Sequence, residues 1–301
     1  MASLTQNGSD LGALGQLLHL SSGTLRAALC PRLGRLISLQ DLTSPFPDDL
    51  IVPLSTWPVQ ERQWAKAGAY PLVPYSNRIF NSRLKFGEAI FDIASHPDAS
   101  PHSLHGHAHL LPWEASSVGE STATLRVVSD PGPNWPWRFE AWQKFELKPQ
   151  GLRLELGLRN LGATTCPAGL GWHPYVRWQP GYQLRHDAKY WWPHDNNYFP
   201  KGERVDLKGS DPLQSELTAY LDEWSRVEVA RPGQPNLLLT AGGCLTQLVV
   251  HYPPDRPYVC IEPVSHVTDA FNRAALGWEK TGARLLEPEE TLTGWAELRL
   301  A

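Results

Sequence analysis

The chain has 301 residues, of which 27 are Lys or Arg and 31 are Asp or Glu, so its formal net charge is −4. This balance argues against a reader of the nucleic-acid phosphate backbone, which would carry a basic surface. No apolar run reaches the roughly 18 residues that a transmembrane helix needs, so we predict no membrane partner. The 13 Trp and 27 Pro disfavour an all-helical chain and suit a loop-rich β protein with aromatic-lined clefts.

The N-terminal segment is polar. Its first residues, MASLTQNGSD, lack a basic stretch followed by an apolar core, so no secretory signal is predicted. We predict a flexible polar leader over residues 1–20. Residues 21–301 are predicted to form a single domain, because no linker, repeat or low-complexity block divides them. Weak helical turns are predicted at residues 11–19 and 65–68.

The dominant hydrophobic periodicity is two, which is typical of half-buried strands. Apolar and charged side chains alternate over residues 137–147 and again over residues 152–159, and Pro149-Gln150-Gly151 lies between the two runs. This pattern predicts an antiparallel hairpin with a Gly-containing turn. Similar runs occupy residues 122–128, 226–230, 237–240, 245–252 and 258–263. We therefore predict an all-β fold, a large antiparallel β-sandwich with few short helices.

Four cysteines are scattered along the chain without a CxxC pair: Cys30, Cys166, Cys244 and Cys260. In a chain of this size such spacing predicts free, buried thiols rather than a disulfide framework. Together with the absence of a predicted signal segment, the free thiols favour a cytoplasmic location.

Five of the 11 histidines lie within residues 96–109. Three interpretations are open: a histidine-rich surface loop, a metal site, or one histidine that acts without metal. On a strand, His105, His107 and His109 would share one face, as metal ligands would. The next acid lies seven residues beyond His107, too far for the usual cupin spacing, so we expect no metal. Gly106 would let a ligand or a backbone segment approach closely.

Two further segments carry candidate acid–base groups. His173 precedes a proline, which disfavours the helical region and keeps its backbone extended. Glu262 ends an apolar run, where a carboxylate has either a cationic partner or a raised pKa. A raised pKa suits a general base near neutral pH. The alternatives are a core histidine packed among aromatic residues, and an ion pair of Glu262 with Arg78 or Arg273.

Two more segments carry groups suited to hydroxyl binding. Asn77 and Arg78 follow a stiff, aromatic, non-helical stretch and offer several fixed donors, although Arg78 could equally be a structural tie. Asp222 lies close to Trp224, and a carboxylate with an indole ring is common equipment for binding a sugar. A solvated acidic turn is the commoner explanation for such a pair.

Taken in order, these segments resemble the aldose 1-epimerase (galactose mutarotase-like) family. The matching motifs are PRLGRL at 31–36, NRI at 77–79, LHG at 104–106 with PW at 112–113, GWHPY at 171–175, FPKGE at 199–203, LD at 221–222, CIEPVSH at 260–266 and DAFN at 269–272. The resemblance runs from about residue 20 to the C terminus. It implies a galactose mutarotase-like supersandwich with its site in a cleft across one sheet face.

The resemblance also implies roles by position. Glu262 matches the general base, His173 the general acid, and His105 a second histidine that orients the sugar near its ring oxygen. The positions that match contacts to sugar hydroxyls are Arg78, Asn77 and Asp222, with Glu223 as the alternative to Asp222. The roles of His107 and His109 are left open.

These roles imply an isomerase that interconverts the α and β anomers of a free aldohexose by acid–base ring opening and reclosure, with no cofactor and no metal. One alternative is an enzyme acting on hexose 6-phosphates, with cations supplied by Arg62, Arg83 or Arg177. Another is a non-catalytic carbohydrate-binding β-sandwich, and a third is a cupin-like metal isomerase. The expected partner is a small-molecule sugar, and the expected state is a monomer or a homodimer.

Overall fold

Two large β-sheets account for most of the chain. The computed structural model describes residues 15–55, 65–273 and 276–301. The first strands are β1 (Leu18–Ser22), β2 (Leu25–Cys30), β3 (Arg35–Asp41), β4 (Asp48–Asp49), β5 (Ala69–Leu72), β6 (Arg78–Ile79), β7 (Arg83–Phe86), β8 (Ala89–Asp92), β9 (Ser103–Leu104), β10 (Glu114–Val118), β11 (Thr122–Ser129), β12 (Phe139–Lys148) and β13 (Gly151–Asn160). The others are β14 (Cys166–Ala168), β15 (Gly171–Arg177), β16 (Gln183–His186), β17 (Tyr190–Trp191), β18 (Val205–Asp206), β19 (Thr218–Asp222), β20 (Arg226–Ala230), β21 (Leu237–Gly243), β22 (Gln247–His251), β23 (Tyr258–Val264), β24 (Arg284–Leu286) and β25 (Thr291–Leu300).

The strands of the two large sheets pair antiparallel. The sheet that carries the candidate site runs β1-β2-β3-β5-β15-β23-β22-β19-β17-β18, with β4 beside β3. The second sheet runs β10-β11-β12-β13-β25-β21-β20-β16. Three two-stranded sheets, β14-β24, β6-β9 and β7-β8, supplement them. One continuous cluster of buried apolar side chains draws on both large sheets, so the predicted β-sandwich is confirmed.

The hairpin of β12 and β13 shows why the alternating hydrophobic pattern predicted strands correctly. Its register pairs Phe139 with Asn160 and Lys148 with Gly151, and burial alternates along β12 as the sequence does. Strands also occupy the runs predicted at 122–128, 226–230, 237–240, 245–252 and 258–263. A strand with one face on the core must alternate in this way, because successive side chains point to opposite faces.

Helices are short. The α-helix of the described residues is α1 (Trp278–Thr281), and three-residue 3₁₀ helices lie at Pro31–Leu33, Phe80–Ser82, Pro97–Ala99, Ala108–Leu110, Pro212–Gln214 and Ala270–Asn272. Among the residues with described positions, no helix is both long and apolar enough to cross a membrane. The helical turn predicted at 65–68 is wrong, because Arg35 Nη1 binds the carbonyls of Ala65 and Ala67 and Gly68 has a φ of +69°.

The N-terminal predictions fall partly outside the described residues. Residues 1–14 of the predicted leader are not among them, and these include residues 11–14 of the helical turn predicted at 11–19. The described part of that turn ends in β1, where Leu18 pairs with Leu29 of β2. Ordered strand therefore begins at Leu18, inside the segment predicted as a leader.

Candidate active site

The centre of the site is a cross-strand pair on the first large sheet. The register of β15 and β23 pairs Gly171 with Val264 and Tyr175 with Cys260, and so sets His173 opposite Glu262. Directly opposed residues project from the same face. The Nε2 atom of His173 consequently lies 3.2 Å from Oε1 of Glu262, and both side chains are buried. His173 and Glu262 are 89 positions apart in the sequence, and they meet because β15 and β23 are neighbouring strands.

Two tyrosines fix the plane of the His173 ring. The ring stacks on Tyr70, at a centroid distance of 4.8 Å, and on Tyr175, at 4.7 Å, and the centroids of the two tyrosines lie 6.5 Å apart. Tyr70 opposes His173 across β5 and β15. On Tyr70 lies the guanidinium of Arg35, 4.4 Å from the ring centroid. The stack leaves the His173 ring edge, with Nε2, directed at Glu262.

His105 joins the pair from a tight loop after β9. His105 and Gly106 both have positive φ, +60° and +64°, and a Cβ at residue 106 would collide with the carbonyl of Val73. The close approach expected at Gly106 is therefore made by the backbone of Val73 and not by a ligand. The Asn77 N–H donates to Nδ1 of His105 and the His105 N–H donates to the Asn77 carbonyl, each at 2.9 Å. The ring of His105 meets that of His173 edge to face at 5.3 Å.

Asn77 and Arg78 form the adjacent wall. Asn77 has a φ of +57° and donates from Nδ2 to the Tyr220 hydroxyl at 3.1 Å, while its Oδ1 accepts the Arg78 N–H at 2.9 Å. The Arg78 guanidinium lies over the Tyr198 ring, 4.4 Å from its centroid. Within the described part of the chain Arg78 forms no ion pair with a carboxylate, so its donors face the cleft without an acidic partner.

Burial controls the protonation of the central pair. It raises the pKa of Glu262 to about 8, against a smaller opposite effect of the positive charges of Lys66 and Arg78. Burial also lowers the pKa of His173 well below 6.5, and the charges of Lys66 and Arg35 add to this. The pKa of His105 is likewise lowered by burial. Each group alone therefore favours its neutral form, and His173 and Glu262 hold one proton between them at neutral pH.

These side chains line one cleft of about 230 Å³, which suits a single small ligand. Its further lining includes residues that the sequence analysis did not single out: Lys66, Asp98, Tyr198, Thr218, Tyr220, His251 and Tyr258. Those on β19, β22 and β23 could have been found by continuing the period-two pattern outward from Glu262. Lys66 lies on a loop and Asp98 in a short 3₁₀ helix, and neither gave such a signal.

The predicted sugar contact of Asp222 stays a prediction, and in the structure this carboxylate is engaged by a cation. It lies two residues beyond Tyr220 on β19, and its Oδ2 accepts a hydrogen bond from Arg204 Nη1 at 2.6 Å. Arg204 also binds Glu223, so the alternative carboxylate is engaged at the same place. Neither acid is among the lining residues of the cleft. Asp222 is almost fully buried, and its ion pair with Arg204 accounts for that burial.

His107 and His109 separate from His105 and enter the core. Nε2 of His107 lies 2.8 Å from the Ser129 hydroxyl, and the His109 ring lies 5.1 Å from that of Tyr70. Both are buried, and burial lowers the pKa of His107 to about 4 and that of His109 to about 3. The metal interpretation needed the three histidines on one strand face, and the structure does not provide it, because residues 105–106 are left-handed and Ala108–Leu110 is a 3₁₀ helix.

Aromatic residues line the cleft as expected, but they are tyrosines. Trp172 alternates with His173 on β15 and is fully buried in the core. Trp113 packs against Gly34 and donates to the Ala108 carbonyl. Like these two, Trp224 is absent from the lining of the cleft. The aromatic lining residues of the described chain are Tyr175, Tyr198, Tyr220 and Tyr258.

Ligand atoms of His105, His173 and Glu262 all lie within 4.8 Å of one another, a set that could hold a metal ion. The hydrogen bonding of His105 argues against this use. Its Nδ1 accepts the Asn77 N–H, so the neutral ring carries its proton on Nε2, a nitrogen that then donates rather than ligates. The same proton suits a contact to a sugar oxygen.

The comparisons with known proteins identify the family of this chain. A family profile described as aldose 1-epimerase matches residues 34–299, so the chain belongs to the aldose 1-epimerase family. An Escherichia coli K12 relative described as uncharacterized protein YphB is 25% identical over 251 residues, which cover 78% of this chain and 84% of the relative.

Solved structures share the fold. The GalM/aldose epimerase homologue from Caenorhabditis elegans superposes with a TM-score of 0.81 at 16% identity, covering 95% of this chain and 98% of that one. A galactose mutarotase-like protein from Clostridium acetobutylicum gives 0.76 at 18% identity, covering 94% of each chain. The galactose mutarotase-like β-sandwich is therefore the fold of this protein.

Proposed function

We propose that this protein is an aldose 1-epimerase, an isomerase that interconverts the α and β anomers of a free aldohexose. The observation that carries the proposal is the pair of His173 and Glu262, 3.2 Å apart in the floor of the cleft. A proton donor and a proton acceptor lie side by side there. Such a pair accelerates the opening and reclosure of a cyclic sugar.

In the proposed reaction the Glu262 carboxylate takes the proton of the C1 hydroxyl while the His173 imidazolium donates a proton to the ring oxygen. The bond between C1 and the ring oxygen breaks, and C1 becomes an aldehyde. Rotation about C1–C2 and closure on the opposite face return both protons and invert the anomer. Each acid–base partner typically contributes about 10²–10⁴-fold, and no covalent intermediate or redox step is needed.

The protonation of the pair fits this cycle. Burial favours protonated Glu262 with neutral His173, which is the state the pair reaches once the ring has opened. The ionised state that begins the reaction contains the same number of protons. The positive charge of Arg78 favours the Glu262 carboxylate and so brings the two states closer in free energy. The charge of Lys66, in contrast, favours that carboxylate and disfavours the His173 imidazolium.

The remaining residues have binding roles in this proposal. Nε2–H of His105 donates to the ring oxygen or to a neighbouring hydroxyl. Arg78, held by Tyr198 and Asn77, donates to further hydroxyls. Asn77 acts mainly through its hydrogen bonds to His105 and Tyr220, which set the shape of the wall.

A free sugar is favoured over a hexose 6-phosphate. Arg83 lines a separate cavity with Lys85, and Arg177 is not a lining residue of the cleft. Arg62 lies outside the described residues. Lys66 and Arg78 do line the cleft, but the nearby negative charge of Asp98 offsets the attraction of Lys66 for a phosphate, and Arg78 is assigned to sugar hydroxyls in this proposal. We place the protein in the cytoplasm, in keeping with its four free, buried cysteines. Monomer or homodimer remains a prediction.

Anomer exchange measured by saturation-transfer NMR or polarimetry tests the function. The wild-type protein is expected to accelerate exchange of a free aldohexose, and Glu262→Gln to lose most of that rate. Circular dichroism checks that the variant is folded. A wild-type protein that binds aldoses without accelerating exchange would support the non-catalytic carbohydrate-binding alternative. To test the expectation that no metal takes part, the metal content and the exchange rate are measured on the same chelator-free protein. Full activity without bound metal is the expected result.

A further inference from the structure

The floor of the cleft has a second row of side chains that the acid–base chemistry does not use. It lies two residues along each strand from His173 and Glu262, about 7 Å at strand rise. Its members, in order across the sheet, are Tyr175, Cys260, His251 and Thr218. A sugar with C1 over the first row would extend across the second.

His251 is the polar group of this row best placed for a ligand. It ends β22, between Cys260 of β23 and Thr218 of β19, and its Nδ1 lies 2.8 Å from the Thr218 hydroxyl. This bond fixes the ring and leaves Nε2 for a ligand. Burial lowers the pKa of His251, and the charges of Lys66 and Arg78 lower it further. The ring is therefore neutral at pH 7, with one donor and one acceptor nitrogen.

The neighbours of His251 in the row are poorer partners for a hydroxyl. Tyr175 is stacked on His173, and its hydroxyl has its pKa raised by burial. Burial raises the pKa of the Cys260 thiol as well, and a neutral thiol is only a weak donor. Thr218 is buried and already bonded to His251. Its carbonyl is taken by Nε2 of His194 at 2.9 Å.

We propose that His251, oriented by Thr218, is a specificity-determining residue whose Nε2 binds one sugar hydroxyl remote from C1. The inference rests on the proposed function, since it assumes that C1 lies at Glu262. A hydroxyl both donates and accepts, so either neutral tautomer of His251 makes the bond. Epimers that turn this hydroxyl away lose the contact and leave a desolvated imidazole nitrogen without a partner, which penalises their binding.

Two substitutions separate the two nitrogens of the ring. His251→Asn keeps a polar atom near Thr218 but has none at the position of Nε2, whereas His251→Gln places an amide near Nε2. We expect KM for the preferred aldose to rise about tenfold in His251→Asn and less in His251→Gln, with kcat changing less than KM. Thr218→Val, which removes only the hydroxyl, is expected to raise KM in the same sense. His19→Asn makes the same substitution at an exposed position on β1, and as the control it should leave KM unchanged.

A series of monodeoxy aldoses identifies the contact. One member should lose about tenfold in kcat/KM with the wild-type protein and no more with His251→Asn, because the two changes remove the same bond. Additive losses for every member would overturn the inference, as would a fall in kcat at constant KM. Absence of anomer exchange in the wild-type protein would instead overturn the proposed function. The wild-type rate is therefore measured first.

Discussion

Glu262 and Asp222 are two carboxylates on the same face of one sheet, and both are almost fully buried. Their partners differ. Glu262 faces a neutral histidine and lines a cleft, and burial raises its pKa to about 8. Asp222 faces the permanent charge of Arg204 and lines no part of that cleft. Burial alone therefore does not distinguish the carboxylate that we propose as the general base. Its distinguishing features are a partner that can exchange a proton and the adjacent cleft.

The largest expected contrast is in catalysis. Glu262→Gln is expected to lower kcat for anomer exchange by about 10²–10⁴-fold, because the proton acceptor is lost. Asp222→Asn is expected to change kcat by less than about threefold, because the proposed mechanism gives Asp222 no proton to transfer. Both are measured by exchange NMR at saturating sugar. An Asp222→Asn variant as inactive as Glu262→Gln would show that Asp222 reaches the substrate, as the family resemblance implied.

The next effect concerns the loop that delivers His105 to the pair. Gly106→Ala is expected to lower kcat/KM at least tenfold and to destabilise the fold by about 2 kcal/mol or more, because positive φ and a collision with the Val73 carbonyl coincide there. Gly87→Ala is the matched control. Gly87 has a φ of +58° but open space around it, so it should cost about 1 kcal/mol and leave kcat/KM unchanged. Thermal unfolding and exchange rates together decide this. Equal kinetics for the two variants would contradict the role assigned to the loop.

The pH profile should show a smaller effect. The pair is active while it holds one proton, so activity should stay level below pH 6.5, where the lowered pKa of His173 delays a second proton. Activity should fall as the pH rises past about 8, where Glu262 loses the shared proton. Lys66→Met is expected to move this alkaline limb upward, because the Lys66 charge lowers the pKa of Glu262. An alkaline limb unmoved in Lys66→Met and in Glu262→Gln would assign it to another group.

The smallest expected effect is on stability, where Glu262→Gln and Asp222→Asn should change the free energy of unfolding in opposite directions. In the unfolded chain Glu262 ionises above about pH 4.5, whereas in the folded protein it keeps its proton to about pH 8. The folded state thus binds more protons in this window, and stability falls as pH rises through it. Glu262→Gln removes this loss and should raise the free energy of unfolding at pH 8 by about 1–3 kcal/mol, with no gain at pH 4. Asp222→Asn should lower it by about 1–2 kcal/mol through its bond to Arg204. Urea unfolding at both pH values tests both signs.

Much of the fold was predictable because alternation is a local property. Residues 137–147 and 152–159 alternate in hydrophobicity, and β12 and β13 bury the expected side chains. His173 and Glu262 could be identified as candidates from their apolar settings and the family resemblance. The ion pair of Asp222 with Arg204 could not be predicted, because the two residues are distant in sequence. The same holds for the contacts of His107 with Ser129 and of His109 with Tyr70, which separate these histidines from His105.

The amino-acid sequence by itself determined which residues lie on strands, which of them are polar in apolar surroundings, and the family to which they conform. Only the tertiary structure decided which of these polar groups meet. The register of β15 against β23 sets His173 beside Glu262, and the register of β22 against β19 sets His251 beside Thr218. Register depends on the packing of a whole sheet against its core, and one residue of slip would turn every one of these side chains to the opposite face.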